Sequence, residues 1–177
     1  MTAPKKKRSP LVWLFVAAAL GGVCVVCSGV GAAVAIPSFV GYVRRSKTAE
    51  AHANLRVMAQ GVIAAWDREQ LGPGGTVVTH RLPPALPPTP ATPPSQLKQM
   101  WPHDAAPGWS ELGFTPPEPL YYVYEYAPDP DGAGFVVRAR GDLDGDGTQS
   151  LFELRGVIDP AAQSITLLPI TTTDELE

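Results

Sequence analysis

The chain has 177 residues, enough for one compact domain plus an additional segment but short for two full domains. Its net charge is −3, yet Lys5, Lys6, Lys7 and Arg8 precede every acidic residue; setting them aside leaves ten basic against seventeen acidic side chains, a balance of −7. That sign argues against nucleic acid as a partner, and His52, His80 and His103 are too scattered to pair as metal ligands.

Residues 11–43 contain no charged side chain. A bilayer core needs roughly 20 apolar helical residues, so the run predicts a transmembrane helix behind a basic tag at 1–10. The four basic residues before it, against Arg44, Arg45 and Lys47 after it, place the N-terminus in the cytoplasm and send the C-terminus out. A cleaved signal peptide is the alternative, because Ala33-Val34-Ala35 has the small-x-small form of a cleavage site. The apolar stretch before that site is longer than a usual signal segment, which favours a retained anchor. Cys24 and Cys27 lie inside the run, where no charge would stabilise a thiolate, so their spacing reads as two small apolar helix residues.

Beyond Pro37, which is expected to kink the helix, the pattern becomes amphipathic over 44–71. Ala51, Leu55, Met58, Val62 and Ala65 follow 4-3-4-3 spacing, one face of a helix, and Trp66 widens that stripe. Gly72-Pro73-Gly74-Gly75 is a stop signal. The expectation is one helix of about 55–60 residues at roughly 1.5 Å each, its first half in lipid and its second half on a domain.

The block Ala35-Ile36-Pro37-Ser38-Phe39 closes the apolar run. Tyr42, the basic cluster, Ser46-Lys47-Thr48-Ala49-Glu50-Ala51 and Asn54-Leu55 follow. Over about 32–66 this resembles the N-terminal helix of type IV pilins and type II secretion pseudopilins. The resemblance implies a non-enzymatic, single-pass protein of the bacterial inner membrane, its C-terminal domain periplasmic or extracellular. It implies lipid and other pilin-like or secretion-system subunits as partners. The chain departs from the family where processing and packing are concerned. Aligned on Pro37, the cleavage glycine would fall near Phe15 and the subunit-registering glutamate near Leu20, and neither residue type is present. A pilin-like protein that remains in the membrane fits this pattern; the alternative is a calcium-stabilised, membrane-anchored periplasmic binding module unrelated to filaments.

Residues 72–119 read as a connector, with seven prolines between 82 and 94 that favour extended polyproline geometry over helix or sheet. Strand patterns follow at 120–126, 134–140, 151–158 and 164–170, separated by Asp, Gly and Pro turn signals. The fold class expected is therefore α+β: a long N-terminal helix, transmembrane in its first half, packed on a small antiparallel sheet of about four strands.

The most chemically specific segment is 142–153, which fits the calcium-loop template D-x-D-x-D-G-x5-E. Asp142, Asp144 and Asp146 would supply carboxylates and Gly147 the sharp turn. Thr148 would give a backbone carbonyl, Ser150 a direct or water-mediated contact and Glu153 a bidentate carboxylate. A solvated hairpin turn is the competing reading, because Asp and Gly dominate such turns for backbone reasons. The flanks look like strands instead of helices, and Gln149 occupies a position where an aliphatic residue is usual. No nucleophile elbow, paired histidines, phosphate-binding glycine loop or acid pair suggests an enzyme, and no small-molecule substrate is evident.

Overall fold

The computed structural model describes the backbone of residues 10–78 and 80–176, and within it the side chains other than those at 10, 12, 23–28, 31, 32, 34, 70, 71, 73 and 78. Residues 1–9, with the four basic side chains of the tag, lie outside the described residues, as do the side chains of Cys24 and Cys27. The chain divides into two compact units, Met1–Val43 and Arg44–Glu177. Helix α1, Pro10–Trp66, belongs to both, with Pro37 inside it. Among the described residues, no helix is long and apolar enough to cross a membrane.

In the first unit, the apolar side chains of Leu11, Trp13, Leu14, Phe15, Leu20, Val30, Ile36 and Phe39 are exposed. In the second unit the same helix changes character. Ala51, Leu55, Met58 and Val62 are fully buried, and Ala65 and Trp66 nearly so. The helix ends at Trp66, short of the glycine-proline stop, because residues 70–71 leave it for a two-stranded ribbon. There β1 (Gln70–Leu71) pairs with β2 (Val77–Val78) around a 3-10 turn at Pro73–Gly75.

The architecture is α+β, but the sheet is larger than the four strands expected. It has six: β3 (Leu86–Thr89), β4 (Val123–Pro128), β5 (Gly134–Gly141), β6 (Ser150–Asp159) and β7 (Ser164–Leu167) follow in spatial order, and β8 (Thr171–Thr173) also pairs with β6. All pairings are antiparallel. β7 covers Gly156–Asp159 and β8 covers Leu151–Glu153 of one β6 edge; the strand expected over 164–170 thus stops at Leu167, and β8 follows it as an additional strand.

The segment 72–119 is no simple connector. It supplies β3, whose Pro87 and Pro88 are tolerated because the strand is at the sheet edge, where a missing N–H breaks no inner ladder. It also supplies the short helix α2 (Pro107–Glu111) and three aromatic core side chains. Trp101 meets Trp109 and Phe114 edge-on at 5.4 and 5.2 Å, and Phe114 meets Tyr124 at 5.2 Å. The Trp109 indole N–H donates to the Thr89 hydroxyl at 3.0 Å, so its one polar atom is satisfied in the core.

Strand alternation assigns the sheet face toward α1. Tyr122, Tyr124 and Tyr126, then Phe135, Val137 and Ala139, then Phe152 and Leu154, share a core with the buried stripe of the helix. Gly61 is required where α1 passes the end of α2: a Cβ there would collide with the Leu112 carbonyl oxygen.

Candidate metal centre and its surroundings

Strands β5 and β6 end in register at Gly141 and Ser150, so residues 142–149 form the loop of a hairpin. The loop is held largely by its own carboxylates. Asp142, nearly buried, accepts from the Gly145 N–H at 2.6 Å through Oδ1 and from the Gly147 N–H at 3.2 Å through Oδ2. Asp144 Oδ1 accepts from the Asp146 N–H at 3.3 Å, and Asp146 Oδ1 from the Thr148 N–H at 2.6 Å. Gly145 and Gly147 have φ of 78° and 93°, in the region that favours glycine. The N–H of Thr148 holds the Asp146 carboxyl below its ordinary range, with smaller help from the Thr148 hydroxyl and the charge of Arg44.

The structure brings together three of the six residues expected to bind metal. One carboxylate oxygen from each of Asp142, Asp144 and Asp146 lies within 4.8 Å of the others. Thr148 is an exposed loop residue adjoining them through its backbone N–H. Ser150 points into the core, fully buried, and its hydroxyl donates to the Gly141 carbonyl at 3.2 Å. Glu153 is on β6 opposite Arg138, whose Nε donates to it at 2.6 Å. The strand geometry that aims Glu153 across the sheet thus commits it to an ion pair. Arg138 and Arg140 also reach Glu125, extending the ladder over β4, β5 and β6. A hard divalent cation takes six to eight oxygens. Three carboxylates with loop carbonyls and water are compatible with that chemistry, without the bidentate glutamate of the full template.

Two neighbours of the loop were not legible from its motif. Arg44 Nη1 lies 3.3 Å from Asp144 Oδ2 and donates to the Leu176 carbonyl at 3.2 Å. The Gln96 side-chain amide donates to the Asp144 carbonyl. Both come from segments far away in sequence, and neither has a spacing rule that links it to the loop.

A second polar cluster joins α1 to the sheet. Glu50 Oε1 accepts from the Tyr121 N–H at 2.8 Å and the Tyr124 hydroxyl at 3.3 Å; the Asn54 amide donates to that hydroxyl at 2.8 Å. Burial raises the Glu50 carboxyl above its ordinary value, only partly offset by the Tyr121 N–H and by Lys98. Burial also pushes the Tyr122 and Tyr124 hydroxyls well above their usual range, and the Glu50 charge adds to both shifts. Lys47 and Lys98 sit 4.5 and 4.9 Å from the Tyr121 ring centre. The Glu50, Asn54, Tyr121 and Tyr124 groups satisfy one another across this helix-to-sheet joint, whereas the buried Tyr122 hydroxyl has no hydrogen-bond partner among the described residues. Comparison with protein-family models, curated proteins and solved structures finds no match to this chain.

Proposed function

We propose that the chain is a non-enzymatic, pilin-like, single-pass membrane protein, a component of a type IV pilus or type II secretion-like system. The observation that carries this reading is the change of character along α1. Its first part displays apolar side chains outward, whereas from Thr48 to Trp66 one face is buried against a sheet. Apolar exposure of that extent is costly in water and is relieved in lipid. Trp13 and Tyr42, both exposed, stand near the two ends of the charge-free run. At roughly 1.5 Å per residue they are about 44 Å apart, close to the full thickness of a bilayer with its interfacial layers. The pilin-like block at 35–55 supports the assignment to a filament or secretion system. Its missing glycine and glutamate support retention as an anchor.

The unit Arg44–Glu177 would then lie outside the cytoplasm of a bacterial cell, with the acidic loop as a calcium site formed by Asp142, Asp144, Asp146 and loop oxygens near Thr148. Calcium would supply charge compensation and rigidity there, as a structural ion. The alternative, a calcium-stabilised binding module with no link to filaments, draws on the same clustered carboxylates. In-cell crosslinking separates the two. Recovery of the protein with pilin or assembly-platform subunits supports the first reading, and a protein that crosslinks only to itself or to nothing rejects it. N-terminal sequencing of the same material distinguishes a retained anchor from a cleaved signal peptide.

A further inference from the structure

The open face of α1 in the second unit carries a groove of about 560 Å³ lined by Arg45, Thr48, Ala49, His52, Ala53, Arg56 and Glu175. Arg45 and Arg56 are exposed, and among the described residues neither has a carboxylate within ion-pair distance. They keep this state in a unit where acidic residues outnumber basic ones seventeen to ten. Between the two arginines, Ala49 and Ala53 are also exposed and leave a low floor. His52 stands at the side of the groove, edge-on to Phe152 at 5.3 Å.

One wall is contributed by Glu175, beyond β8. After β8 the backbone turns at Asp174, whose φ is 51°, and Glu175 comes to line the groove. Arg44 fixes this turn through the Leu176 carbonyl while pairing with Asp144. The groove thus has a floor of small side chains, two arginines whose backbone positions lie roughly 16 Å apart along the helix, and a single acidic residue in its lining. Guanidinium groups favour planar, bidentate pairing with carboxylates.

We propose that this groove receives an acidic peptide segment of a partner protein, with Arg45 and Arg56 pairing its carboxylates and residues 174–176 forming a strap along its side. The charge of the groove selects that occupant: an apolar segment would leave both arginines unmatched, and a basic one would be repelled.

The test uses the full chain in detergent micelles and a fluorescent peptide of alternating glutamate and alanine. Anisotropy should show saturable binding that weakens at high ionic strength. The Arg45→Glu, Arg56→Glu double variant should bind at least tenfold more weakly. Arg68→Glu, a reversal elsewhere on the chain, should bind as the wild type does. Amide spectra of the double variant that match the wild type outside the groove exclude misfolding as the cause. Absence of saturable binding to the wild type overturns the proposal. So does a loss on Arg68→Glu equal to that of the double variant, which would mean attraction to charge alone.

Discussion

Replacing Asp142 with alanine separates a loop ordered by its own hydrogen bonds from one that waits for a cation. In the structure both oxygens of this nearly buried carboxylate accept backbone N–H groups, from Gly145 and Gly147. A hydrogen bond to a charged group contributes about 1.5–3 kcal/mol net. Taking the lower figure for each, because the freed N–H groups regain some water, Asp142→Ala should cost about 3 kcal/mol. For a domain of this size that is a fall in melting midpoint of about 10 °C. Asp146→Ala should move the midpoint far less, because Asp146 is exposed and accepts a single bond from Thr148. The assay is thermal unfolding of the wild type and both variants in chelator and again in calcium. In chelator the order is wild type, then Asp146→Ala close behind, then Asp142→Ala well below. In calcium the wild-type midpoint rises, by about 2.7 kcal/mol at a hundredfold excess over the dissociation constant. Both variants lose most of that rise, because each lacks a ligand. Equal losses for the two variants in chelator would refute the claim that the hydrogen bonds of Asp142 order the loop. An unchanged wild-type midpoint would refute the metal assignment.

Three further outcomes follow from the packing. Gly61→Ala should destabilise by about 1–3 kcal/mol in urea unfolding despite the better helix propensity of alanine, because its Cβ would strike the Leu112 carbonyl oxygen; a neutral or stabilising result would contradict that close approach. Glu50 has its carboxyl raised above an ordinary value near 4.5, so its contribution is fully present below that value and is lost as pH rises through the higher folded-state value. Glu50→Gln, which keeps an acceptor for Tyr121 and Tyr124, should therefore flatten stability over that acidic window, and chemical unfolding across pH 4–8 checks it. Trp109→Ala removes a fully buried indole from the Trp101, Phe114 and Thr89 contacts. It should cost about 3–5 kcal/mol, a loss that a genuinely loose connector would not show.

What the sequence discloses and what it hides has a physical pattern here. The buried stripe of α1 was readable because 4-3-4-3 spacing maps directly onto one helix face, and Ala51, Leu55, Met58, Val62 and Ala65 all lie in the core. Strands β5 and β6 were readable to within a residue because alternation and Asp-Gly turns mark them. β3 was not: two of the four residues in Leu-Pro-Pro-Thr are prolines, which strands avoid, and its place at the sheet edge makes them admissible. Trp101, Trp109 and Phe114 lay in a proline-rich stretch without periodicity, so their burial was visible only in three dimensions. In the loop, the cluster of Asp142, Asp144 and Asp146 followed from spacing within one turn. The loss of Glu153 to Arg138 depended on cross-strand register, which the linear template does not contain.

The central claim is that α1 begins in a membrane and delivers the second unit to its far side. Single-cysteine labelling in intact spheroplasts tests it most directly, using Ala53→Cys, on the exposed face of α1, in a chain whose Cys24 and Cys27 are serine. The account predicts a protein retained in carbonate-washed membranes and labelled by an impermeant maleimide without lysis. A protein released to the soluble fraction, or one labelled only after lysis, would contradict it.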